Sequence, residues 1–117
     1  MTHILVRDIE TRSTVDLKKV GLHNYATHPS TEILTIGYCV DHDRVKLWHP
    51  GDSVPKEYRE AARHQEFAAV AHNAPFEMAI ERYILHKKYN FPIIPLERNV
   101  CTMMAARSGS RYHRAGS

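Results

Sequence analysis

Cysteine, glycine and long apolar runs are all scarce in this chain of 117 residues, which has two cysteines and five glycines. Cys39 and Cys101 are too few for a disulfide framework, and each stands in an apolar segment, which predicts buried free thiols in a reducing compartment. No segment approaches the roughly 20 apolar residues that span a membrane. The N-terminus also lacks the basic and then apolar pattern of a signal peptide. We therefore expect a single soluble domain in the cytoplasm.

Acidic residues are missing from the C-terminal part of the chain, with no aspartate after Asp52 and no acid of either kind after Glu97. Four arginines follow Glu97, and the net charge of the whole chain is +3. A basic end of this kind either follows the phosphates of a nucleic acid or is solvated and disordered. We predict a domain over residues 1–106 and a basic, disordered tail over residues 107–117.

The order of apolar segments predicts a mixed sheet. Strands are expected at 3–10, 32–40, 45–49, 67–72 and from 99 onwards, and helices at 54–63, at 76–88 and towards residue 106. This order indicates an α/β domain with three antiparallel strands, then a βαβ unit, and helices on the faces of the sheet. Residues 11–31 are expected to be irregular, apart from a helical turn around Leu17–Val20. The segment 32–40 is apolar on both faces, which predicts a central strand.

Two acidic residues, Asp8 and Glu10, follow the apolar start of the first strand. Residues i and i+2 of a strand point to the same face, so the two carboxylates lie side by side. Like charges in such a place repel each other, and a hard divalent cation such as Mg²⁺ would remove the repulsion. The alternative is that this end of the strand is exposed and that both groups are simply hydrated.

A third acidic residue stands where the fourth strand passes into a helix, in the sequence HNAPFE of residues 72–77. Pro75 suits the first position of a helix, which places Glu77 in the first helical turn, beside the positive end of the helix dipole. Asn73 is then in position to cap the helix. The alternative is that Asn73 and Glu77 serve only to start the helix.

The chain resembles the DEDD superfamily of 3′–5′ exonucleases, which has the ribonuclease H-like fold, in three segments that follow in order as DIETRSTVDLKKVGLHNYATHPSTEIL, KLWHPGD and VAHNAPFE. More narrowly, it resembles the proofreading exonuclease domain of phage-type family A DNA polymerases, over about residues 4 to 106. The resemblance implies hydrolysis of nucleotides from a DNA 3′ end during replication, in the cytoplasm of a bacterial or phage-infected cell.

The resemblance also implies a metal site. Asp8, Glu10 and Glu77 match positions at which the family holds one or two Mg²⁺ or Mn²⁺ ions. Asp8 would bridge two ions, and Glu77 replaces the aspartate that many relatives have. Two such ions activate a water and stabilise the leaving 3′ oxygen.

Four further residues match the family's groove for a single-stranded DNA 3′ end, namely Thr11, His72, Asn73 and Phe76. Phe76 has an alternative role, because an aromatic residue at this helical spacing also packs against a sheet. The resemblance implies stacking and sugar contacts more than readout of base edges, so little sequence specificity is expected.

The third motif of the family is missing from this chain. That motif supplies one more aspartate, preceded by a tyrosine or histidine that positions the attacking water. The family's His-x-x-x-x-Asp spacing places the aspartate five residues after the histidine, whereas this sequence has only four residues after His113. We therefore expect a truncated relative or an N-terminal fragment, with a polymerase module in the parent protein and an uncovered apolar sheet surface that favours a homodimer. Two functions stay open: an exonuclease, or a catalytically impaired remnant that binds nucleic acid or serves assembly.

Overall fold

A five-stranded mixed sheet forms the centre of the computed structural model, which describes residues 3–103. The strands are β1 (His3–Arg12), β2 (Glu32–Val40), β3 (Lys46–Trp48), β4 (Phe67–Ala71) and β5 (Asn99–Cys101). Their order across the sheet is β3-β2-β1-β4-β5. The first three strands pair antiparallel, whereas β4 and β5 join on the other side of β1 in parallel. The predicted mixed α/β sheet is confirmed: β1 is its middle strand, and β2, which was predicted to be central, is paired on both sides.

Helices fill the connections between the strands. They are α1 (Leu17–Val20), α2 (Leu22–Thr27), α3 (Lys56–Arg63), α4 (Ala74–Ile80) and α5 (His86–Tyr89), with a π-helical turn (Glu81–Leu85) after α4 and a 3₁₀ turn (Leu96–Arg98) before β5. The predicted turn at α1 is confirmed, and α2 lies in the segment that was expected to be irregular. None of the helices in residues 3–103 is long and apolar enough to cross a membrane. The predicted domain end at residue 106, the tail 107–117 and His113 lie outside the described residues.

The helix boundaries lie within two residues of the predicted ones at the start of α3 and of α4. Helix α3 begins at Lys56 because Pro55 has an extended ψ of 139° and stands before the helix. Helix α4 begins at Ala74 because Asn73 caps it. The far end of α3 is closed by Arg98, whose guanidinium donates hydrogen bonds to carbonyl oxygens of the last turn.

Strand β1 presents different side chains to the two sides of the sheet. Leu5, Arg7 and Ile9 are buried under the helices, and none of them is more than 4% exposed. The residues between them point to the other side and are exposed. On the side of β4, the pairing of β1 ends at Val6 and Val70. The C-terminal half of β1 therefore passes beyond β4, and the first turn of α4 lies beside it.

Aromatic side chains fill much of the core between the sheet and the helices. Trp48 of β3, Tyr58 of α3 and Phe91, which follows α5, are all at most 2% exposed. The Phe91 ring meets the rings of Trp48 and Tyr58 edge to face, with 5.0 Å between the centroids of each pair. Such pairs add roughly 0.5–1.5 kcal/mol to the effect of burial alone. This aromatic contact holds α3 and the segment after α5 against the same face of the sheet.

The opposite face of the sheet, which we name the open face, is apolar and exposed. Five of its large apolar side chains are between 37% and 63% exposed, and they are Ile4, Val6, Val45, Leu47 and Val100. Within residues 3–103 the helices pack on one face of the sheet, and the other face is exposed, in agreement with the uncovered apolar sheet surface that was predicted. Exposed apolar surface of this kind commonly marks an interaction site.

We predict that the open face makes the chain self-associate, because its apolar side chains are removed from water in a dimer. Leu47→Lys adds a charge to this face and should lower the fraction of dimer. Leu96→Lys is the control, because Leu96 is similarly exposed but lies outside the sheet. Sedimentation velocity over a concentration series measures both, and a wild-type chain that stays monomeric at high concentration would contradict the prediction.

Candidate functional site

Asp8 and Glu10 lie on the open face near the C-terminal end of β1, on one side of the strand as their spacing predicts. Both are exposed, and their cross-strand neighbours on β2 are Gly37 and Thr35. Beside them the open face forms a groove of about 390 Å³ with largely apolar walls, one of which is Leu47. The two carboxylates therefore meet solvent next to an apolar groove and are not part of the core.

Glu77 lies in the first turn of α4, where the chain leaves β4. Asn73 caps this helix, and its side-chain oxygen accepts the Phe76 N–H at 3.4 Å. Pro75 occupies the second helical position instead of the predicted first, because the helix begins at Ala74. The predicted place of Glu77 in the first turn is confirmed. Its burial, with only 4% of the residue exposed, was not predicted.

The Glu77 carboxylate is bound to the backbone of β1. Its Oε2 accepts the Ile9 N–H at 3.2 Å, on the edge of β1 where the pairing with β4 has ended. Its Oε1 is buried and accepts no hydrogen bond from residues 3–103. Burial raises the pKa of Glu77 above its ordinary value of 4.5; the Ile9 N–H and the Arg7 charge oppose this rise, and the Asp8 charge adds to it. Glu77 is thus a buried carboxyl group within electrostatic reach of Asp8.

Arg7 is the centre of a buried polar cluster on the helix side of β1, which we name the Arg7 cluster (Arg7, Tyr58, Glu81 and Asn99). The guanidinium of Arg7 donates to Glu81 Oε2 at 2.5 Å, to the Tyr58 hydroxyl, and to Asn99 Oδ1 at 2.7 Å. The Tyr58 hydroxyl in turn donates to Glu81 Oε2. Arg7, Tyr58 and Glu81 are each at most 1% exposed. The cluster therefore joins β1, α3, β5 and the helix that carries Glu77 through buried charges.

The spacing of Glu77 and Glu81 matches the spacing of the strand groups that they bind. Four residues of an α-helix rise about 6 Å, and two residues of a strand advance about 6.6 Å. The helix runs antiparallel to β1, and the two distances are nearly equal. Glu81 therefore reaches Arg7 when Glu77 is hydrogen-bonded to Ile9. The ion pair between Arg7 and Glu81 thus determines where the Glu77 carboxylate lies along β1.

Sequence reasoning did not single out the Arg7 cluster, although two signals for it were present. Arg7 has the same parity along β1 as Leu5 and Ile9, which places it on the buried side of an alternating strand. Glu81 follows Glu77 by four residues, so the two lie on the same side of a helix. A cation and an anion that both face a core predict a buried pair.

The three predicted carboxylates lie around the same part of β1 without forming a compact set of ligands. Asp8 and Glu10 share the open face, whereas Glu77 is buried at the edge of β1 that faces β4. Within residues 3–103, no three His, Cys, Asp or Glu side chains are grouped so that they could hold a metal ion. Asp8 and Glu10 therefore lie together, and the Glu77 carboxylate is bound to the backbone N–H of Ile9, the residue between them.

The four residues predicted to line a substrate groove have different surroundings. The hydroxyl groups of Thr11 and Tyr25 are hydrogen-bonded, with 2.8 Å between the oxygens. Phe76 packs against the core, and its ring centroid lies 6.2 Å from that of Tyr25, which favours the packing role. Asn73 serves as the cap of α4. His72 is exposed just after the end of β4.

Comparison with known proteins relates the chain to part of a phage enzyme. Over 101 residues it is 37% identical to a DNA polymerase of Bacillus phage SP02, and this match covers 85% of the chain and 15% of the polymerase. The chain therefore spans less than a sixth of that relative's length. No protein-family model matches the chain, and no solved structure matches it significantly. The predicted similarity to a phage DNA polymerase is confirmed at this general level.

We predict that Arg7→Met lowers the free energy of unfolding by about 3–5 kcal/mol, because it leaves the buried Glu81 carboxylate without its cation. Arg12→Met is the matched control, since Arg12 is also on β1 but pairs with Glu32 at 2.9 Å on the exposed surface. The control should lose at most about 1 kcal/mol. Urea unfolding near neutral pH measures both losses, and equal losses would show that the buried pair contributes no more than a surface pair.

The raised pKa of Glu77 predicts a pH dependence of stability. Between its ordinary value of 4.5 and the higher pKa in the folded state, the folded chain binds the Glu77 proton more tightly than the unfolded chain does. The contribution of Glu77 to the free energy of unfolding therefore falls as the pH rises through this interval. Glu77→Gln removes this titration, so the stability of the variant relative to wild type should increase with pH above 4.5 and then level off. Urea midpoints measured in steps of pH report this difference, and a difference that stays constant with pH would refute it.

Proposed function

We propose that this chain is a 3′–5′ exonuclease domain with the ribonuclease H-like fold, associated with a DNA polymerase. One arrangement carries the proposal. Asp8 and Glu10 are exposed on the same face of the central strand, and Glu77 is bound to the N–H of Ile9, the residue between them. The sheet order and the similarity to part of a phage DNA polymerase support the same assignment.

In this proposal Asp8 and Glu10 hold a divalent cation, Mg²⁺ or Mn²⁺, from the open face. Magnesium keeps several of its waters and is commonly bound by one or two carboxylates together with substrate phosphates, so two exposed carboxylates suit it without a third protein ligand. One or two such ions would supply an activated water and would stabilise charge on the leaving 3′ oxygen. Glu77, whose Oε1 is buried, would act on such an ion through its charge, which lies within electrostatic reach of Asp8.

The proposed substrate is the 3′ end of single-stranded DNA. Thr11, near the C-terminal end of β1, and the exposed His72, just after β4, lie at the ends of neighbouring strands and are the proposed contacts for the terminal nucleotide. Asn73 and Phe76 act indirectly, because they fix the start of α4 and its packing. Binding through sugar, phosphate and stacking contacts gives little sequence specificity.

A second candidate is a domain that binds nucleic acid or serves assembly without turnover, beside a polymerase module in the parent protein. The observation in its favour is that no three His, Cys, Asp or Glu side chains of residues 3–103 are grouped so that they could hold a metal ion. Both candidates bind nucleic acid, but only the exonuclease hydrolyses it, so an assay must measure binding and hydrolysis separately.

We predict that the chain shortens a 5′-labelled single-stranded oligonucleotide stepwise from its 3′ end in the presence of Mg²⁺ or Mn²⁺. Asp8→Asn should lower the rate by at least about 100-fold, because it removes a charge that holds the cation and the transition state. Asp43→Asn is the charge-matched control, at an exposed aspartate in the turn between β2 and β3, and should leave the rate unchanged.

Two results would count against the exonuclease. The first is an intact oligonucleotide that is nevertheless bound, which favours the second candidate. The second is hydrolysis that Asp8→Asn and Asp43→Asn lower equally, because the rate would then not depend on the position of the charge.

A further inference from the structure

A groove of about 260 Å³ lies between the end of α2 and the helical segment that follows α4. We name it the basic groove. Its polar and basic lining residues come from the end of α2, from the turn before β2 and from the helical segment after α4, and they are Thr27, His28, Thr31, Tyr83, Lys87 and Lys88. The basic groove is separate from the open face, because it is formed by helices that pack on the other side of the sheet.

The two segments that line the basic groove have no exposed acidic residue. From residue 17 to residue 31 and from residue 82 to residue 96 the sequence has no acid. The helix segment has acids at Glu77 and Glu81, but both are buried against β1. The next acid in the sequence, Glu32, pairs with Arg12 at 2.9 Å. Lys87 and Lys88 therefore face solvent without a nearby exposed carboxylate on these two segments, and such a surface attracts polyanions.

An aromatic ring lies among these cations. Tyr83 is half-buried beside the basic groove, and Lys87 Nζ lies 5.7 Å from the centroid of its ring. The His23 ring meets Tyr83 edge to face at 5.1 Å. A cationic groove with an aromatic ring is the combination that binds single-stranded nucleic acid, in which phosphates contact the cations and bases stack on the ring.

Packing contacts between α2 and α4 link residues near the basic groove to residues near the proposed site. Tyr25 of α2 is hydrogen-bonded to Thr11 at the end of β1, and its ring lies 6.2 Å from that of Phe76 at the start of α4. The helical path from Phe76 to Lys87 corresponds to about 16 Å along the helix axis. A strand whose 3′ end is at the site must extend by several nucleotides to reach the two lysines.

We propose that the basic groove binds the backbone of single-stranded nucleic acid upstream of its 3′ end, with phosphates on Lys87 and Lys88 and a base on Tyr83. This inference rests on the proposed function for the direction of the strand, but binding itself requires neither metal nor hydrolysis. It therefore adds a second contact surface, on helices, to the carboxylate site on the sheet.

Binding of a 5′-fluorescein-labelled oligo(dT) to the whole chain, measured by anisotropy in EDTA over a range of salt concentrations, tests the inference. The variant Lys87→Gln/Lys88→Gln should reduce the slope of log affinity against log salt by about 1.4, which is about 0.7 for each phosphate that the variant no longer neutralises. At about 0.1 M salt this corresponds to a roughly 25-fold weaker affinity. Tyr83→Leu should weaken binding further without changing the slope.

Lys56→Gln/Arg63→Gln is the matched control on α3. It removes the same charge, and Arg63, like the two lysines, stands in the last turn of a helix, where a cation stabilises the helix dipole. Thermal unfolding of both variants shows that they are folded. An unchanged slope in Lys87→Gln/Lys88→Gln would overturn the inference, and so would an equal loss in the control, because the effect would then be one of net charge.

The inference and the proposed function fail in different ways. If the chain binds oligo(dT) through Lys87 and Lys88 but never hydrolyses it with Mg²⁺ or Mn²⁺, the basic groove is supported and the exonuclease is not. If the chain hydrolyses the strand and the lysine variant acts on an octanucleotide as well as wild type does, the exonuclease is supported and the basic groove is refuted.

Discussion

The ion pair between Arg7 and Glu81 is the interaction on which the rest of the structure depends. Both partners are buried, and Arg7 also donates hydrogen bonds to Tyr58 of α3 and Asn99 of β5. Removing one partner of such a pair costs far more than breaking a surface pair, because the other charge stays buried. The pair therefore allows the helix that follows β4 very little freedom to slide along β1. Since Glu77 is carried by the same helix, its distance from Asp8 is set by the same contact.

One face of β1 contributes side chains to the core, and the other carries the carboxylates of the proposed site. Its inward residues, Leu5, Arg7 and Ile9, are held by the core, whereas Asp8 and Glu10 point outward to solvent. Glu77 has features of both groups of residues. It is buried like a core residue, and yet one of its carboxylate oxygens accepts no hydrogen bond from the described part of the chain. A buried carboxyl group of this kind destabilises the folded state in its charged form. Proteins retain such costs most often where a site needs the group, which agrees with the proposed cation at Asp8 and Glu10.

Local sequence patterns predicted most of the sheet but not the contacts that place the site. The segment 32–40 is rich in β-branched and aromatic residues between polar turns, and β2 has these bounds in the structure. Helix α2 was missed because its six residues have no clear apolar period, and its burial comes from Tyr25 and Ala26 contacting distant parts of the chain. The shared face of Asp8 and Glu10 followed from strand geometry alone. The burial of Glu77 did not, because it depends on β4 ending before β1 does.

Binding of Mn²⁺, followed by the electron paramagnetic resonance signal of the free ion, tests most directly whether Asp8 and Glu10 form a cation site beside Glu77. The account predicts binding by the wild-type chain that is lost in Asp8→Asn and weakened by about 10-fold to 100-fold in Glu77→Gln, in which a neighbouring group and not a direct ligand has changed. Asp43→Asn should bind as the wild type does. Wild-type affinity in Asp8→Asn, or no binding by the wild-type chain, would contradict the account.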